Sequence, residues 1–133
     1  MKKRVYLFDI DGTICTDIKN EDSHLYESAE PIDGAKEEIN RLYDEGNKII
    51  FFTAREYKDK GITLKWLWNH GFKFHDLITD KPRCIEDDCE YVWVDNRPVR
   101  GITFKGDWSP IVELKNQEIE TLLTFKKQDG TNI

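Results

Sequence analysis

The chain has 133 residues, enough for one domain with a substantial core and too few for two ordinary ones. Its 20 Lys and Arg against 26 Asp and Glu leave a net charge of −6, which weighs against a dedicated nucleic-acid binder, and no apolar stretch approaches membrane-spanning length. Three cysteines, an odd number, argue against a disulfide framework and for a reducing compartment, and the basic start Met1-Lys2-Lys3-Arg4 is followed by too short an apolar run for a signal peptide; a soluble, cytoplasmic protein with no membrane partner is expected.

In chain order, Val5 to Asp9 reads as the first strand. Residues 14–32 are polar and irregular, which predicts a loop with at most a small hairpin. Pro31-Ile32-Asp33-Gly34 opens a helix from about Ala35 to Glu45, where Ala35, Ile39, Leu42 and Tyr43 recur at helical spacing and Gly46 follows as a stop. Lys48 to Thr53 holds the uninterrupted apolar run Ile49-Ile50-Phe51-Phe52 of a buried strand. A second helix is predicted from about Asp59 to His70, stopped by Gly71, then a short strand within 72–78, another over Tyr91 to Asp95 and a brief one over Ile102 to Phe104. Ser109-Pro110 has the chemistry of a helix start, and Ile111, Leu114, Ile119, Leu122 and Leu123 would turn that helix toward the core before a frayed tail after Lys126.

Strands alternating with helices predict an α/β fold: a single Rossmann-like domain spanning 1–133, core about 4–125, with a parallel sheet, right-handed crossovers and helices on both faces. Residues at i and i+2 of a strand share one side, so Asp9 and Asp11 start together at the carboxyl end of the first strand, where open α/β sheets bind ligands. Two adjacent carboxylates repel and persist only with a compensating cation or a shared proton. Gly12 permits a sharp turn and a close approach of backbone amides to an anion. Asp-Gly is also a common hairpin signal, so the turn by itself leaves a structural explanation open.

Three more signals follow in order. The second strand ends in Phe51-Phe52-Thr53-Ala54-Arg55, with a hydroxyl at its carboxyl end. Thr79-Asp80-Lys81-Pro82 follows the apolar segment that starts at Phe74. Tyr91-Val92-Trp93-Val94-Asp95-Asn96 would end a strand in an acid. Taken together over about residues 5 to 105, these motifs resemble the haloacid dehalogenase (HAD) superfamily of phosphatases. The spacing from Thr63 through Trp66-Leu67, Gly71, Phe74 and Leu77 to Lys81-Pro82 is most similar to small phosphatases of capsule and surface-sugar biosynthesis, and is also reminiscent of the phosphatase domain of polynucleotide kinase.

The resemblance implies a phosphomonoester hydrolase working through an aspartyl-phosphate. Asp9 would be the nucleophile and Asp11 the general acid and base. Thr53, with amides near Ile10 and Gly12 and with Ala54 beside them, would hold the phosphoryl oxygens. Lys81 would screen the charge of Asp9 and phosphate; Lys73 precedes the apolar segment that the family's lysine follows. Arg55 would contact the substrate beyond the phosphate or form a salt bridge. Mg²⁺ would be held by the Asp9 carboxylate, the Asp11 carbonyl and the Asp95 carboxylate, with Asn96 standing near, where the family often has a second acid. A cation has a reason to be there: two unit charges 4 Å apart interact by about 4 kcal/mol at an effective dielectric near 20, and a carboxylate attacking a phosphate meets that repulsion.

The gaps 14–33 and 56–80 are too short for a cap domain, so an open, capless site is expected. Open members of the family take large substrates or borrow a neighbouring subunit as a lid, so a homo-oligomer is one expectation; Trp66, Trp68 and Trp108 would supply an interface if they do not pack into the core. Cys84 and Cys89 with His70 and His75 fit the spacing of a zinc site poorly. The expected substrate is a small phosphorylated metabolite such as a sugar phosphate or nucleotide. A nucleic-acid 3′-phosphatase and a non-catalytic HAD-fold binding protein are the alternatives.

Overall fold

A computed structural model of the chain describes residues 3–109. Its frame is a three-stranded parallel sheet in the order β1-β2-β3, built from β1 (Val5–Phe8), β2 (Lys48–Phe52) and β3 (Asp76–Ile78). Helix α1 (Ala35–Asp44) crosses from β1 to β2, and α2 (Lys60–Asn69) crosses from β2 to β3. Both helices and both strand-to-helix transitions lie within a residue or two of the positions the periodicity predicts. In α1 the buried residues Ala35, Glu38, Ile39 and Leu42 form one stripe, and in α2 Thr63, Trp66 and Leu67 do the same.

Both helices contribute to one core, and α1 is tied to the chain that follows α2. Asn40 of α1 donates through Nδ2 to the Gly71 carbonyl and accepts from the Lys73 amide, at 2.8 Å each. Their shared core faces Ile49, Phe51 and Leu77, with Phe51 meeting Phe72 and Phe74 edge-on. The opposite sheet face carries Val5, Leu7, Ile50, Phe52 and Ile78, none of them fully buried among the described residues. A second layer of helices is therefore not among the described elements, and the helix expected after Ser109 lies outside the described residues.

Residues 14–32 depart from the expected loop. Asn20–Ser28 forms 3-10 helix, kinked at Asp22, and its Tyr26 is buried. The segment is pinned at its ends, with Thr16 N–H donating to the Glu30 carbonyl and Ile32 N–H to the Ile14 carbonyl, 2.9 Å each. Apolar Ile14, Cys15, Ile18 and Ala29 join the core from this irregular stretch, which the polar sequence around them conceals.

The strands predicted over 91–95 and 102–104 are absent among the described residues. Tyr91, Val92, Trp93 and Val94 are exposed, Val94 by 89%. Local bonds offer this backbone an alternative to a ladder. Asp95 accepts from Trp93 Nε1 and from the Arg97 amide, 3.1 Å each, closing a turn of the kind that competes with strand pairing. Tyr91 donates to the Pro82 carbonyl at 2.6 Å and accepts from the Cys84 amide, which ties it to the loop before it.

Cys84 and Cys89 form a disulfide, with Cα atoms 5.5 Å apart, so two of the three cysteines are paired where the odd count argued against it. The zinc arrangement falls with it. His75 Nδ1 accepts from the Ile49 amide, His70 Nδ1 lies 2.9 Å from the Trp66 carbonyl, and no cluster of three or more His, Cys, Asp or Glu able to hold a metal occurs among the described residues. Trp66 and Trp108 are core residues, whereas Trp68 is exposed. Trp108 donates to the Thr13 carbonyl at 3.1 Å and packs on Phe8 and Phe104, anchoring the end of the described chain beside the β1 turn. No helix among the described residues is long and apolar enough to cross a membrane.

Candidate active site

The carboxyl ends of β1 and β2 converge with the turn after β3. The β1 turn is built by Gly12, whose φ of +80° disfavours any side chain, and a Cβ there would lie 3.4 Å from Asp17 Cγ. Thr13 and Ile14 amides both donate back to the Ile10 carbonyl, at 3.0 and 2.9 Å, so the chain coils tightly directly after Asp9. At β2 the Thr53 amide donates to the Ile78 carbonyl and the Thr53 carbonyl accepts from the Lys81 amide, 2.9 Å each. The Arg55 carbonyl accepts from the Asp80 amide at 2.8 Å, and Asp80 itself has φ 62°. These bonds clasp the β2 and β3 turns together and aim Lys81 back across the sheet.

Lys81 Nζ lies 3.0 Å from Asp9 Oδ1, and Thr13 Oγ1 donates to Asp9 Oδ2 at 3.0 Å. The Lys81 side chain is 15% exposed and that of Asp9 39%, so the nucleophile candidate stays reachable from solvent while its charge is countered. Lys73 is a surface residue paired with Asp44, as its place before the apolar segment implies. Tyr91 and Phe52 turn their rings toward Lys81 Nζ at 5.3 and 5.9 Å.

Asp11 is held differently. Arg55 Nε donates to Asp11 Oδ2 at 2.9 Å and Nη2 to Oδ1 at 2.7 Å, a bidentate fork. The Arg55 side chain is 1% exposed and that of Asp11 14%. Nη1 donates to Thr63 Oγ1 at 3.0 Å, and the guanidinium carbon sits 3.7 Å from the centre of the Tyr26 ring. Thr63 hands its own proton to the Asp59 carbonyl at 2.8 Å, which leaves its oxygen free to accept from Arg55. Tyr26 donates to Asn20 Oδ1, whose Nδ2 donates to the Ala54 carbonyl, closing a ring of contacts back to the β2 turn.

This environment shifts titrations. Burial pushes the Asp11 carboxyl upward, Arg55 opposes it, and the Asp9 and Asp17 charges add to the push. For Arg55, burial works against its charge but the Asp11 bonds outweigh it and hold the guanidinium above its ordinary value. Cys15, buried beside Asp11, is raised to about 12, chiefly by desolvation.

Several sequence assignments are corrected here. Arg55 puts its fork on Asp11 and its Nη1 on Thr63, so of the two roles expected for it the salt bridge is the one observed, buried instead of at the surface. The Gly12 amide donates to the Cys15 carbonyl at 3.0 Å and is not offered to an anion. Thr53 is buried, its Oγ1 accepting from the Arg55 amide at 3.1 Å, and it stands at the strand end as predicted. Ile10 is a core residue and Ala54 is half-buried beside Thr53. Asp95 and Asn96 lie in an exposed segment, and Trp93 and Arg97 hold the Asp95 carboxyl below its usual range.

Of the ligands that the resemblance implies for a cation, the Asp9 carboxylate accepts from Lys81 and Thr13, and the Asp95 carboxylate closes its own exposed turn. Arg55 engages the Asp11 carboxylate and not the Asp11 carbonyl, which is the implied ligand. Tyr26, Asn20 and Thr63 were missed by sequence reasoning. Only Thr63 left a trace, since it shares a helical stripe with Trp66 and Leu67.

A family model described as "PITM 1-3, LNS2 domain" matches residues 6–92. The chain belongs to the LNS2-domain family. The LNS2 domain has a HAD-like phosphatase fold, so the superfamily is right and the narrower likeness to capsule phosphatases gains no support. The interval that matches the LNS2 domain contains Asp9, Asp11, Thr53, Arg55 and Lys81 and stops before Asp95. A crystal structure of an MCSG target from Vibrio cholerae shares the fold, with a TM-score of 0.60 at 20% identity over 96% of this chain and 99% of that one. No curated protein matches.

Proposed function

We propose that this LNS2 domain hydrolyses phosphate monoesters, with Asp9 as the nucleophile. The observation that carries the proposal is Lys81 Nζ seated 3.0 Å from Asp9 Oδ1 at the mouth of a parallel sheet. A lysine there offsets the repulsion between an attacking carboxylate and an incoming phosphate. In the first step an Asp9 oxygen forms a bond to phosphorus, the ester P–O bond breaks, and the leaving alkoxide takes a proton from Asp11, which enters the step as the neutral acid that burial favours. In the second, water attacks phosphorus, Asp11 takes the water's proton, and the acyl P–O bond breaks to release phosphate and free Asp9. In this reading Thr53, at the carboxyl end of β2, would hold a phosphoryl oxygen.

The substrate class we propose is a small phosphorylated metabolite, a sugar phosphate or nucleotide. Turnover of a chromogenic phosphate ester, followed by a screen of such compounds, tests this with and without Mg²⁺. Asp9→Asn should abolish turnover with the fold intact, and full activity in that variant would remove the nucleophile. A binding protein that kept the fold is the competing reading. It is favoured by one observation, that both carboxylates already carry a cationic partner. It predicts phosphate-ester binding without turnover in the wild type.

A further inference from the structure

We infer that Arg55 is a positioning residue that fixes the plane of the Asp11 carboxylate for proton transfer to the leaving group; this rests on the phosphatase reading above. Each contact of the guanidinium restricts one degree of freedom. The Nε/Nη2 fork on both Asp11 oxygens, at 2.9 and 2.7 Å, sets the rotation of the carboxylate about its own bond. The Nη1 bond to Thr63 Oγ1 at 3.0 Å keeps the guanidinium from sliding along that fork. Tyr26, 3.7 Å from the guanidinium carbon, blocks one face of the plane. These partners come from three separate parts of the chain, namely the β1 turn, the 3-10 segment and α2.

A planar, delocalised fork is required for this. A lysine would keep the charge yet bind as a point and leave the carboxylate free to rotate. Arg55 touches neither phosphate nor leaving group in this scheme, since its donors on both edges are engaged. Its effect must therefore appear in the chemical step and only where a proton is needed.

That distinction sets the experiment. Wild type, Arg55→Lys and Thr63→Val are assayed with enzyme in excess, and the release of the alcohol or phenolate in a single turnover reads the first step apart from the hydrolysis of the intermediate, which is common to all esters. Two esters are used: an alkyl phosphate, whose alkoxide must be protonated as it leaves, and 2,4-dinitrophenyl phosphate, whose phenolate leaves without a proton. Well-placed acid–base catalysis contributes on the order of 10²–10⁴-fold. Arg55→Lys should thus lose on the order of 10²-fold in the release rate at saturation on the alkyl ester, with the half-saturating concentration little changed, and stay within about threefold of wild type in the release rate of dinitrophenolate. Thr63→Val should show the same pattern more weakly. Arg55→Ala, should it remain folded by circular dichroism, should regain alkyl-ester turnover when guanidinium is added. Equal losses of the single-turnover release rate on both esters, or a raised half-saturating concentration with an unchanged rate, would overturn the positioning role while leaving the phosphatase intact. A wild type inactive on both esters would instead overturn the phosphatase reading, and this role with it.

Discussion

Thr63→Val isolates one bond of the buried network around Arg55. The substitution keeps the shape of the side chain and deletes one hydroxyl. That hydroxyl accepts from Arg55 Nη1 at 3.0 Å and donates to the Asp59 carbonyl at 2.8 Å in the first turn of α2. Thr63 and Arg55 are each 1% exposed, so water does not replace the lost acceptor. A hydrogen bond to a charged group contributes about 1.5–3 kcal/mol, and leaving a buried donor unpaired costs in the same range. A loss of about 2 kcal/mol is expected. With a urea m-value near 2 kcal/mol/M, typical of small domains, the unfolding midpoint should fall by about 1 M at unchanged m. Thr63→Ser keeps the oxygen and should recover most of that difference. A midpoint shift below about 0.2 M, or a serine variant no better than valine, would mean that Nη1 is not anchored by this hydroxyl, and the tethered guanidinium would be wrong.

Lys81→Met should lower kcat/KM on phosphate esters by about 10²–10³-fold, the scale of removing one preorganised electrostatic partner. Its thermal midpoint should barely move, because a partly exposed pair contributes at most about 1 kcal/mol; steady-state kinetics and calorimetry read the two separately. Trp108→Ala should cost about 3–5 kcal/mol in urea unfolding, since it removes a buried ring and the bond to the Thr13 carbonyl. Alkaline stability follows from Cys15, whose thiol is raised from 9.0 to about 12 in the folded protein. The folded state keeps that proton after the unfolded chain has lost it, so the contribution is whole below pH 9.0 and fades as pH rises toward about 12. Tyr26 adds to the same decline from 10.0 upward, being raised to about 12. Urea midpoints should therefore fall more steeply between pH 9.0 and about 11 in wild type than in Cys15→Ala, and parallel slopes would contradict the buried thiol.

The parts of the site carried by strand ends were legible in the sequence. Asp9, Thr53 and Lys81 each follow an apolar run, and a run that must be a buried strand places its next residue at the sheet's carboxyl edge. Lys81 could be told from Lys73 because it follows the third run. The role of Arg55 was not legible. Its partners Tyr26 and Thr63 are 29 and 8 residues away (55 − 26 and 63 − 55), and Tyr26 sits in a segment whose polar composition reads as solvated loop. Periodicity also misjudged 91–95, because an apolar run cannot reveal that Asp95 accepts from Trp93 and Arg97 and closes a turn instead of ending a strand. The disulfide was hidden by parity: an odd count says nothing about which two of three thiols meet.

Borohydride trapping of a quenched reaction, followed by peptide mass analysis, measures most directly whether Asp9 carries the phosphoryl group. Reduction of an aspartyl-phosphate leaves homoserine at position 9, in wild type and not in Asp9→Asn. Wild-type turnover with position 9 always recovered as unmodified aspartate would contradict a covalent role for that side chain.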